Sequence, residues 1–188
     1  MAILVENLLR STDFNNQDNQ IILRGIAQLA ASDGNIDPRE RKYLKQFVTE
    51  YFPDGDPTDP DLTEKTISAN DIANLSSHEA QLAFLGFLTI TAYSDEDYSQ
   101  PERKFIKNLV GDHVSEEEFS QIQWGVRKML YRRVVFSFAL KNKFLHPDFA
   151  MEMARRFDIS NDEAVEINQG VFSATMAIKG DEAQTASE

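Results

Sequence analysis

Along most of this chain, apolar residues return every third or fourth position. Ile22, Ile26, Leu29 and Ala30 do so, as do Tyr43, Leu44, Phe47, Val48 and Tyr51. The same spacing joins Leu82, Leu85, Leu88, Thr89 and Ala92, and then Phe105, Ile106, Leu109 and Val110. That period lays the apolar side chains along one face of an α-helix. No stretch sustains the alternation of a strand, so the pattern predicts an all-α fold. Helix starts are written as capping signals: Asp37-Pro38-Arg39-Glu40, Ser99-Gln100-Pro101-Glu102, Ser76-Ser77-His78-Glu79, Ser115-Glu116-Glu117-Glu118 and Ser160-Asn161-Asp162-Glu163. The predicted helices cover roughly 2–10, 19–32, 38–52, 77–93, 100–111, 116–142, 147–157 and 161–178. Between Pro53 and Ser76 the chain is rich in Asp, Pro and Gly and reads as a linker, with a helical turn around Leu62–Ala69. The stretch from Trp124 to Leu140 is apolar on nearly all sides, which predicts a helix at the centre of its bundle and makes a dimer interface a candidate use of the excess.

The pattern also repeats. "SDGNIDPRERKYLK" (Ser32–Lys45) returns 62 residues later as "SDEDYSQPERKFIK" (Ser94–Lys107). Ile22, Leu23, Ile26 and Ala30 align with Phe84, Leu85, Leu88 and Ala92, and Phe47 and Val48 with Leu109 and Val110. The unit is helix, short acidic turn, helix, spanning about 20–52 and about 77–112. Two such hairpins packed about a pseudo-twofold axis bury apolar stripes that neither could bury alone. The expected architecture is an all-α helical bundle with this repeated hairpin. A helical extension over 115–178 completes a single domain of 1–179, and a disordered tail follows over 180–188.

Composition narrows the function. There is no cysteine among the 188 residues, which removes disulfides, thiolate metal sites and cysteine nucleophiles. The formal net charge of −12 disfavours nucleic acid and suits a cation or a basic protein face. The start, "MAILVENLLR", has no basic leader, and the longest apolar run, "LAFLGFLTITAY", is too short to span a bilayer. A soluble, cytoplasmic protein without direct membrane insertion is expected. From Phe119 to Pro147 no acid interrupts Arg127, Lys128, Arg132, Arg133, Lys141 and Lys143. These bases could take an anion, or complement the chain's own acids. "DGDPTDPD" (Asp54–Asp61) reads as a solvated loop. His78, His113 and His146 lie at no zinc-ligand spacing, and no phosphate loop or nucleophile elbow exists.

The repeated turns carry the candidate chemistry. The first reads Asp33-x-Asn35-x-Asp37-x-x-Glu40 and the second Asp95-x-Asp97-x-Ser99-x-x-Glu102. Oxygen ligands at alternate positions followed by a glutamate suit a hard divalent cation, though the loops are shorter than an EF-hand. Asp37, Ser99, Glu40 and Glu102 are also explained as helix caps. Asp33 and Asp95 fall at helix C-termini, where a carboxylate costs about 0.3–1 kcal/mol. Two readings stand for them: cation ligands, or turn acids that pair with Arg41, Lys42, Arg103 and Lys104.

With these residues on the page, the chain resembles the helical TerB-like family, whose pattern is A-x-x-D-G-x-h-x-x-x-E-x-x-x-h. The family is named for a bacterial tellurite-resistance protein, and a related domain occurs in the co-chaperone DjlA. Ala30, Asp33, Gly34, Ile36, Glu40 and Leu44 match in the first copy, and Asp95, Glu102 and Ile106 in the second, where Glu96 replaces the glycine. The resemblance covers about Ile21–Val114. It implies a bundle of two hairpins whose turns form a metal site at Asp33, Glu40, Asp95 and Glu102, with Asp37 and Asp97 as neighbours. The second turn is expected to differ in shape, since glutamate does not favour the left-handed cap that glycine does. The resulting expectation is a non-enzymatic protein of metal, tellurite or oxidative stress. It would bind Ca²⁺, Mg²⁺, Mn²⁺ or Zn²⁺ and engage a protein partner, a second copy being one candidate. The competing expectation is a metal-free, co-chaperone-like interaction module.

Overall fold

Helices form where the apolar period places them. A computed structural model of the chain describes residues 4–31, 38–53, 61–64, 66–93, 100–142 and 145–185. In chain order the helices are α1 (Val5–Ser11), α2 (Asn16–Ala30), α3 (Pro38–Tyr51), α4 (Asp61–Glu64), α5 (Ala69–Ala73), α6 (His78–Ala92) and α7 (Gln100–Val110). A 3-10 turn (Gly111–His113) leads to α8 (Glu116–Asn142), α9 (Pro147–Arg156) and α10 (Asn161–Thr185). The fold is an all-α helical bundle, and no helix among the described residues is long and apolar enough to cross a membrane. The chain divides into two compact units, Met1–Val126 and Arg127–Glu188, with the division inside α8.

The first unit is built around α6. Every residue from Leu82 to Ala92 is buried, on all sides of the helix. The hydroxyls of Thr89 and Thr91 donate back to the carbonyls of Leu85 (2.8 Å) and Phe87 (2.9 Å), so burial leaves neither unsatisfied. α1 lies on α6 where Gly86 faces Leu9 and Val5. α2 crosses it where Gly25 faces Phe84 and Leu88. Phe87 sits in a cluster with Phe14, Phe47, Tyr51 and Phe52, ring centroids 5.1–6.0 Å apart, which fastens α3 and the chain beyond it to α6. Arg10 lies over the Tyr51 ring and pairs with Glu50. The central helix of the first unit is thus α6. On α8, Trp124 and Leu140 remain more than a third exposed, while Phe119, Ile122, Val126 and Leu130 are buried along one stripe and Tyr131, Val135 and Ala139 along another.

The expected linker is more structured than its composition suggests. Ile72 in its short helix α5, and Ile67 and Leu75 on either side of that helix, are all buried. Polar side chains along α2 hold this connector. The Gln28 amide donates to the Leu62 carbonyl (3.3 Å) and accepts from the Ile67 N–H (2.9 Å). Arg24 pairs with Asp71 at 3.5 Å. Asp18, fully buried, accepts from the Ser76 N–H (2.9 Å), the Ser76 hydroxyl (2.5 Å) and the Asn15 N–H (3.1 Å). Ser76 is therefore not the cap of α6. Ser77 takes that place and accepts from the Ala80 N–H. The boxes at Ser115/Glu118 and Ser160/Glu163 form as read from the sequence.

The hairpin elements fall at constant spacing. Asn16 and His78 begin α2 and α6, Ala30 and Ala92 end them, and Pro38 and Gln100 begin α3 and α7, each pair 62 positions apart. Aligned positions are buried alike: Ile22 with Phe84, Ile26 with Leu88, and Val48 with Val110 are each at most 1% exposed.

In the second unit, α9 and α10 pack together with the C-terminal half of α8. Tyr131 is fully buried and donates its hydroxyl to the Asn168 side chain at 2.9 Å; burial raises its pKa. Phe138 stacks on Phe149 with centroids 4.0 Å apart. Arg127 pairs with Asp158 and Lys128 with Glu163, so two bases of the acid-free stretch are matched within the unit.

Two glycines separate close packing from helix propensity. A methyl at Gly25 would lie 2.6 Å from Cε2 and 2.9 Å from Cζ of the buried Phe84 ring, and 3.2 Å from Leu88. A methyl at Gly170 in α10 would meet nothing within 4 Å. Gly25→Ala is expected to lower stability by about 1–3 kcal/mol. Gly170→Ala should raise it by about 0.5–1 kcal/mol. Urea denaturation followed by circular dichroism reads both, and a neutral Gly25→Ala would mean that α2 and α6 are not in this close contact.

Candidate functional site

α2 and α6 run the same way: Asp18 near the start of α2 bonds Ser76 just before α6, and Gly25 at mid-length meets Phe84 and Leu88. Their C-terminal residues, Ala30 and Ala92, therefore lie at the same end of the pair. Ala31 caps α2 through its N–H to the Ala27 carbonyl, and Tyr93 caps α6 through bonds to Thr89 and Ile90. Both helices have the negative end of their dipole at that end of the pair.

Of the six candidate ligands, Asp33, Asp37, Asp95 and Asp97 lie outside the described residues. Glu40 is the third residue of α3, and its side chain is also outside the described set. Glu102 is the third residue of α7 and is half-buried. Among the described residues no three or more His, Asp or Glu side chains gather as a cation would require. What the described residues supply is the pair of helix ends on which the acidic turns are mounted.

A second polar constellation sits at the opposite, N-terminal end of α6, and the histidine spacing gave no reason to expect it. His78 Nε2 is 2.7 Å from Glu118 Oε1, and its Nδ1 is 3.2 Å from Gln81 Oε1. Gln81 is turned by its own amide, which donates to the Ile72 carbonyl at 3.3 Å. Both ring nitrogens thus face oxygen acceptors, an arrangement that only the doubly protonated imidazolium satisfies. The Glu118 and Gln81 bonds raise the His78 pKa. In return, the His78 bond and the Ser115 hydroxyl and N–H hold Glu118 down at about 2. The pair joins the start of α6 to the start of α8, and the Ser115 capping box aims the glutamate. The signal available in the sequence was two helix N-termini, each with a side chain of opposite titrating character, but not their proximity.

The sign of the pH dependence follows. His78, with its pKa raised in the folded state, contributes fully below the unfolded value of 6.5, and that contribution is lost as pH rises through the folded value. Glu118 contributes above 4.5 and loses its contribution as pH falls toward about 2. The pair is therefore most stabilising between these two limits. The His78 ring resonance followed by NMR should titrate above 6.5 in the parent and fall back in Glu118→Gln. An unchanged midpoint in that variant would dissolve the pairing. The chain matches no family model, no curated protein and no solved structure.

Proposed function

We propose that the chain is a non-catalytic, TerB-like protein of the metal, tellurite or oxidative stress response. It binds one divalent cation at its paired acidic turns and acts through a protein partner. One observation carries the reading: α2 and α6 run in the same direction and stop at equivalent residues, Ala30 and Ala92. Two helix ends of negative polarity side by side, each followed by oxygen-bearing side chains at alternate positions and then a glutamate, make a region of negative potential. A hard divalent cation brings two charges on one centre and takes several oxygens at once, where a flanking Arg or Lys side chain brings a single charge. Asp33, Glu40, Asp95 and Glu102 would supply the carboxylates, with Asp37 and Asp97 beside them. The competing reading, a metal-free interaction module, draws on the exposed apolar residues Val165, Phe172 and Met176 of α10.

Calorimetric titration of the chelator-stripped protein with Ca²⁺, Mg²⁺, Mn²⁺ and Zn²⁺ separates the two. Saturable micromolar binding of at least one cation is expected. It should be lost in the Asp33→Asn/Asp95→Asn double variant while the helical circular dichroism stays unchanged. Absence of binding, or binding that the double variant retains, would assign the turns to architecture and leave the interaction module.

A further inference from the structure

We infer that α10 is a homodimerisation helix, pairing antiparallel with α10 of a second copy of the chain. The inference is independent of the cation reading. α10 has two stripes. Ala164, Val171 and Thr175 are buried, and Asn168 among them is bonded to Tyr131; this stripe faces the helix's own unit. One residue further on, and about 100° round the helix, run Val165, Gln169, Phe172 and Met176. Val165, Phe172 and Met176 are 56%, 65% and 54% exposed, and Phe172 is the most exposed aromatic of the core-forming type in the described chain. An open groove lined by Val165, Asn168, Gln169, Phe172 and Ser173 follows the same face.

The register of that second stripe says what covers it. Extended to both ends it reads Asp162, Val165, Gln169, Phe172, Met176, Lys179, with alternating spacings of three and four, the seam of a coiled coil. It is symmetric about a point between Gly170 and Val171. An antiparallel twofold there sets Val165 opposite Met176, Gln169 opposite Phe172, and Asp162 opposite Lys179, each pair twice. Lys179 is the only base in α10, and it occupies the one register position that answers Asp162. A parallel pair would instead set Asp162 against Asp162 and Lys179 against Lys179, so charge selects the antiparallel form. Between these ends, Ile167 to Ile178 carry no charge, in a chain of which 27% is charged. Bringing two chains of net charge −12 together there desolvates no ionised group along the centre of the seam. From Asp162 to Lys179 the seam is about 26 Å long, short for a dimer interface, so association should be weak and concentration-dependent.

Sedimentation equilibrium of the full chain, from low micromolar to near-millimolar concentration, tests this. The expected result is a reversible rise from the 21.4 kDa monomer toward twice that mass. Phe172→Glu should abolish the rise with helical circular dichroism intact. Asp162→Lys should weaken association at least severalfold, and Asp162→Lys/Lys179→Asp should restore it, a rescue that a merely structural role for either residue would not give. A chain that stays monomeric throughout overturns the inference, as does a dimer indifferent to Phe172→Glu. So does a monomeric chain whose Phe172 face binds a basic amphipathic probe peptide, since the face would then serve another class of partner.

Discussion

A helix without a polar face has to be enclosed, and the first unit is organised by that requirement. From Ala80 to Tyr93 the chain carries no charged residue, and nearly all of it is buried. Enclosing each large apolar side chain contributes about 1.5–3 kcal/mol, and α6 supplies Leu82, Phe84, Leu85, Phe87, Leu88 and Ile90 in succession. No single neighbour can cover such a surface. α1 closes the side at Gly86, α2 the side at Gly25, and the rings of α3 and its following turn close over Phe87. Two of these approaches use glycine on one partner, because backbone must come close where a convex helix meets another.

The connector between the hairpins shows the same economy with polar groups. Asp18, Arg24 and Gln28 stand along one edge of α2 and reach across to Ser76, Asp71, Leu62 and Ile67. Asp18 is the critical one, since a fully buried carboxylate is tolerated only with its oxygens occupied, and here three donors occupy them. α2 is thereby fixed at its start by hydrogen bonds and at its middle by close packing.

Much of this was legible in the sequence. The long helices announced themselves by period, and the boxes at Ser115 and Ser160 by their glutamates three residues on. The start of α2 was missed because Asn15-Asn16-Gln17-Asp18 is polar throughout; its capping box involves Asn15 and Asp18, a pair that reads equally well as loop. The helices α4 and α5 have four and five residues, too few to display a period, and Ile67, Ile72 and Leu75 are anchored by partners far along the chain. The fuller enclosure of α6 than of α8 goes with charge rather than apolar content: α8 carries Arg127, Lys128, Arg132, Arg133 and Lys141, and α6 carries none after Glu79. The acidic turns could be placed after helix ends from sequence alone. That α2 and α6 run the same way could not, since the long connection between them permits either direction and only the Asp18 and Gly25 contacts decide it.

That shared direction has an electrostatic consequence for the whole first unit. Helices packed antiparallel offset each other's dipoles; helices packed in the same direction add them. At the N-terminal end of the pair the unit supplies compensation from its own side chains, with Asp18 over the first turn of α2 and Glu79 in the first turn of α6. At the C-terminal end, neither α2 nor α6 has a basic residue in its last turn. The sequence that follows each adds acid rather than base: Asp33 after one, Asp95, Glu96 and Asp97 after the other. A fold selected for stability alone would place Lys or Arg at those ends, where each contributes about 0.3–1 kcal/mol. Repeated at positions 62 apart, the lack of a base in the last turn leaves both helices with the negative end of their dipole unmatched from within that turn.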